Sequence, residues 1–64
     1  MRTFSFYIHD RRYSVPTLQL VTVRDESRAR ELALARLEET EHHLSVEVVE
    51  DQTELFRLSR EARV

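Results

Sequence analysis

Sixty-four residues with no cysteine, no glycine and a formal charge of −2 describe one small domain that no disulfide or thiolate metal site holds together. Twelve acidic side chains against ten basic ones supply no net attraction to nucleic acid or an anionic membrane. All ten basic residues are arginine; that suits bidentate contacts to carboxylate or phosphate, but a GC-rich coding sequence gives the same bias, and here the arginines are scattered among acids.

Thr3 to His9 alternate, with Phe4, Phe6 and Ile8 on one face and Thr3, Ser5, Tyr7 and His9 on the other, which predicts a half-buried strand over 2–9. Neither a leader-type apolar segment nor a membrane-length apolar run is present, and a cytoplasmic protein is expected. His9-Asp10-Arg11-Arg12 breaks the alternation as a hairpin turn, with Asp10 the candidate for any left-handed position in a chain without glycine. Tyr13 and Val15 resume the alternation, and Pro16 cannot donate to a ladder. The apolar phase then slips from Leu18 and Leu20 to Val21 and Val23. A long second strand over 12–23, bent at Pro16, reconciles these signals.

Asp25 is a candidate N-cap with Glu26 in the first turn. The strong helix formers that follow predict a helix over 26 to about 40, with Ala29, Leu32, Ala33 and Leu37 on one face. Glu38, Glu39 and Glu41 oppose the dipole at its end, so fraying near Thr40 is expected. Leu44, Val46 and Val48 alternate in a third strand over 43–50, Glu50-Asp51-Gln52 turns, and Phe56 and Leu58 give the inward face of a fourth over 53–59. A competing pattern makes 52–62 a second helix through Leu55, Phe56, Leu58 and Ala62.

The predicted fold is therefore α+β in the order ββαββ: a four-stranded, mainly antiparallel sheet with one helix packed on one face. Residues 1–59 form the domain, and 60–64 are expected to be a disordered tail. The expected core is Phe4, Phe6, Ile8, Leu20, Ala29, Leu32, Ala33, Leu37, Val46, Val48, Phe56 and Leu58.

The segments FSFYIHD at 4–10, DESRARELALARLEE at 25–39 and HHLSVEVVEDQTELFRL at 42–58 resemble a domain-of-unknown-function group of short bacterial proteins. That resemblance spans nearly the whole chain and implies the same ββαββ fold. It carries no activity and no catalytic residues to transfer.

Each chemical constellation has a plainer reading beside it. His42 and His43 with Glu38 and Glu41 offer metal-ligand chemistry, yet adjacent histidines on a strand face opposite ways and the spacing fits no zinc signature. His9-Asp10 and Ser14 are near in sequence, but an exposed hairpin excludes no water, and no glycine is available for an oxyanion or phosphate nest. Neither an enzyme nor a cofactor is expected. Tyr7, Phe6 or Phe56, ringed by Arg11, Arg12, Arg24 and Arg57, are candidate stacking platforms for nucleic acid, with Glu47 and Glu54 opposing it on the same sheet. One helix covers only one face of a sheet, which leaves Tyr7, His9, Glu47, Val49 and Arg57 on the other as the candidate interface, with the edge of the strand carrying Pro16 as the alternative contact. Size, the missing staples and that spare surface favour a non-catalytic protein-interaction module, expected to be a homodimer.

Overall fold

The computed structural model describes residues 1–60. Four strands and one helix follow in the order β1 (Arg2–Asp10), β2 (Thr17–Val23), α1 (Glu26–Glu38), β3 (His43–Glu50) and β4 (Thr53–Ser59). They form one sheet in the spatial order β2-β1-β3-β4, with every neighbouring pair antiparallel. β2 and β3 both run antiparallel to β1 and are thus parallel to each other. The chain must therefore cross β1 between them, and α1 makes that crossing while covering the sheet.

Alternation decides which residues meet the helix. Phe6 lies opposite Val48, which lies opposite Phe56, and Ile8, Val46 and Leu58 form a second cross-strand row. Phe4, Phe6, Val46 and Val48 are fully buried. From above, Ala29, Ala33 and Leu37 pack onto these rows as one i, i+4, i+8 stripe, itself fully buried. Small side chains at two of the three positions let the helix backbone approach the sheet closely. Val21, Leu32, Leu55, Phe56 and Leu58 flank this core, half-buried. Asp25 caps α1, its Oδ1 accepting from the Arg28 backbone N–H at 2.9 Å.

Four expectations require correction. The second strand does not begin at residue 12. Asp10 Oδ1 accepts from the Arg12 backbone N–H (2.8 Å) and the Asp10 carbonyl from the Tyr13 N–H (3.1 Å); this Asx-type turn starts a loop that lasts through Pro16, and the strand opens at Thr17. Leu20 is not in the core. Pairing of Leu20 with Ser5 puts it on the uncovered face, 67% exposed, while the other phase of β2 turns Val23 into the core. Because side chains repeat every two residues, a slip of one exchanges the faces, and the slip from Leu20 to Val21 resolves in favour of the valines. Asp10 is not left-handed either. Positive φ occurs at Asp51 (50°) and Gln52 (68°), the two central residues of the β3–β4 hairpin, as the right-handed twist of tightly joined strands requires.

The fourth correction concerns the chain end. Arg60 is held in place: its N–H donates to the Leu44 carbonyl (3.0 Å), and its guanidinium donates to the carbonyls of His43 (3.0 Å), Thr40 (2.9 Å) and Leu37. The rest of the expected tail, 61–64, lies outside the described residues. Residues 53–59 are strand, so the competing helix over 52–62 does not form there.

Candidate functional site

The uncovered face of the sheet unites all five residues of the candidate interface. Tyr7 on β1 stands opposite Glu47 on β3, which stands opposite Arg57 on β4; Val49 and His9 take the adjoining positions. Three of the five are already engaged with one another. Glu47 Oε1 accepts from Arg57 Nη2 at 3.0 Å and is also bonded to His9 Nε2. Glu54 joins the cluster, and its interaction with the Glu47 carboxylate raises the Glu54 carboxyl above its ordinary value. Glu47 is correspondingly lowered, first by that interaction, then by His9 and Arg57. His9 and Arg57 thus both partner Glu47, and Thr3 and Thr22 bond each other at 3.1 Å on the same face.

The exposed apolar surface lies mainly on β2, the strand next to Pro16 whose edge the sequence offers as the alternative contact. Leu18 is 55% and Leu20 67% exposed, beside Tyr7 and Ser5 respectively, and Tyr13 and Val15 in the preceding loop are exposed as well. Among the described residues β2 is an edge strand, with β1 on one side and no strand on the other. Its sequence, TLQLVTV, contains no charged residue. The opposite edge, β4, carries Glu54 and Arg57. The signal in the sequence was the slipped apolar phase: a strand with apolar residues in both phases has one set to spare for each face.

The expected nucleic-acid platforms do not assemble. Phe6 is fully buried. Phe56 lies on the helix side of the sheet with the Arg30 guanidinium 4.1 Å above its ring. Of the three, only Tyr7 faces outward, next to Glu47.

On the other side of the β1–β2 loop, a cleft of about 470 Å³ opens between that loop, the start of β2, Arg36, Glu39 and His43. Asp10 is buried at its base, and its position on β1 continues the inward phase of Phe4, Phe6 and Ile8. A buried carboxylate requires a partner. Arg12 supplies it, donating Nε to Oδ1 (3.0 Å) and Nη2 to Oδ2 (2.7 Å). His43 is oriented by an Nδ1–H bond to the Arg36 carbonyl (2.5 Å), and its Nε2 stands 3.6 Å from Asp10 Oδ2. His9 and Asp10 project to opposite faces, so the sequence-adjacent pair does not form a dyad. Among the described residues, no group of three or more histidine and carboxylate side chains is placed to hold a metal ion. No helix among them is long and apolar enough to cross a membrane.

The Arg12 hydrogen bonds hold the Asp10 carboxyl far below its ordinary 3.8, against the opposing effect of burial. A carboxyl whose folded-state pKa is depressed contributes stability above its unfolded value and loses it as the pH falls towards the folded one. Acid denaturation between about pH 4 and pH 2 should therefore include Asp10. In Asp10→Asn, stability measured by urea denaturation should fall less steeply over that interval. An unchanged slope would contradict the assignment.

Compared with protein-family models, curated proteins and solved structures, the chain matches none.

Proposed function

We propose that the protein is a small, cytoplasmic, non-catalytic docking module that works as a homodimer. The observation that carries this reading is the concentration of exposed apolar side chains, Leu18 and Leu20 with Tyr13 and Val15 beside them, along one uncharged sheet edge. Monomeric proteins blunt such edges with charge, bulges or a covering segment. β4 carries the charges and β2 does not. A single-layer core in a domain this short leaves little stability to spare, so covering that edge also supplies a stabilisation that a cysteine-free chain cannot draw from disulfides.

The polar groups favour docking over chemistry. The Asp10 carboxylate is saturated by Arg12, and the Glu47 cluster is internally paired. With Tyr7 the one aromatic of the sheet that faces outward, and the Arg57 guanidinium already paired with Glu47, the open face offers a nucleic acid little to stack on and no surplus of positive charge.

A dimer is stabilised by mass action, so the melting temperature should rise with protein concentration over a hundredfold range. A melting temperature independent of concentration would contradict the proposal.

A further inference from the structure

Resting on that docking role, we infer that two copies join edge to edge: β2 pairs antiparallel with β2 of a second copy about a two-fold axis at Leu20, giving a continuous eight-stranded sheet. The occupant follows from the strand itself. A seven-residue strand pairs with itself over its full length only when centred on its fourth residue, which is Leu20 in Thr17–Val23. In that register Leu20 meets its own copy and Leu18 meets Thr22 on the open face, while Gln19 meets Val21 and Thr17 meets Val23 on the helix side.

The strand carries no charge, so self-pairing sets no like charges together, and centring on Leu20 brings the most exposed leucine of the strand against its own copy on the axis. Shifting the centre to Gln19 would bring Pro16 into the ladder opposite Thr22, where its missing N–H removes a bond. Centring on Leu20 leaves Pro16 just outside. The two leucines that are most exposed on the strand become the middle of the new contact, extending towards Tyr7 in the next row. At roughly 3.3 Å per residue the ladder is about 23 Å long, short enough that a weak, reversible dimer is expected.

Strand order turns this into distances. Running β4-β3-β1-β2 into the second copy's β2-β1-β3-β4, the two β4 strands lie seven strand spacings apart, roughly 34 Å, whereas the two β2 strands are one spacing apart. With the axis at Leu20, the two Thr22 backbones are offset along the strands by four residues, placing them roughly 14 Å apart.

Nitroxide labels on Thr22→Cys and, separately, Thr53→Cys read these separations by dipolar electron paramagnetic resonance, the cysteine-free sequence making each attachment unique. The mass of each labelled sample and of the wild type is followed in parallel. Expected is a dimer with a short Thr22 separation and a Thr53 separation more than twice as long. Dissociation caused by the Thr22 label alone, in a protein that dimerises unlabelled and with the Thr53 label, would also place the contact at β2. A dimer whose Thr53 labels are as close as, or closer than, its Thr22 labels would overturn edge pairing while leaving the docking role standing; a wild type that stays monomeric would overturn both.

Discussion

Phe6→Ala should destabilise the protein by about 3–5 kcal/mol, which for a domain of this size is comparable to its entire stability. Phe6 is fully buried at the middle of the central strand, between Gln19 and Val48 in the ladder and beneath the alanine stripe of α1. Truncation would leave a cavity whose walls are stiff. Its roof is Ala29 and Ala33, too short to fill the space, and its floor is a strand paired on both sides, which cannot shift without breaking two ladders. Little relaxation is open to such a site, so the cost should fall towards the upper part of the range. Urea denaturation followed by circular dichroism measures it; a variant with the wild-type midpoint would show that the aromatic row does not hold the sheet to the helix.

Arg60→Ala should cost about 2 kcal/mol, the scale expected when a charged donor is removed from several partly buried carbonyls. One guanidinium there bonds the carbonyls of Leu37 and Thr40 at the end of α1 and that of His43 at the start of β3. Helix ends leave carbonyls without intrahelical partners and carry partial negative charge. Glu38 and Glu39 aggravate that charge. Arg60 answers both needs, and it fixes the last residues of β4 to the helix. Arg60→Lys should restore only part of the loss, since an ammonium cannot span three carbonyls with the geometry of a planar fork. Equal midpoints for Arg60→Ala and the wild type would show that the fork is not a structural staple.

The element order and the inward faces of β1, α1 and β3 could be read directly from the sequence, because each has a single unbroken phase. Phe4-Phe6-Ile8, Ala29-Ala33-Leu37 and Val46-Val48 admit one orientation each. β2 could not be read in this way. Leu18 and Leu20 compete with Val21 and Val23, and only the pairing of Leu20 with Ser5 decides between them. That one ambiguity displaced Leu20 into the expected core, so the edge strand after Pro16 could be offered as a contact without its exposed leucines. Tyr7, His9, Glu47, Val49 and Arg57 were gathered on one face by alternation, yet alternation could not reveal that His9 and Arg57 both bond to Glu47. Arg60 was misjudged because a helix-end carbonyl accepts from any donor the fold delivers. Nothing local to Ser59-Arg60-Glu61 signals that partner, which is more than fifteen residues away in sequence.

Self-association through β2 is tested most directly by sedimentation equilibrium of the wild type and of Leu20→Lys over a hundredfold range of concentration. Lysine at Leu20 puts two like charges together on the proposed two-fold axis and gives the edge the protection it lacks. It removes no buried contact within one chain, because Leu20 points to the open face, so the fold should be retained. The wild type should pass from monomer to dimer as concentration rises, and Leu20→Lys should remain monomeric at concentrations about tenfold or more above the wild-type midpoint. A wild type that sediments as a monomer throughout, or a Leu20→Lys variant that dimerises as readily as the wild type, would contradict it.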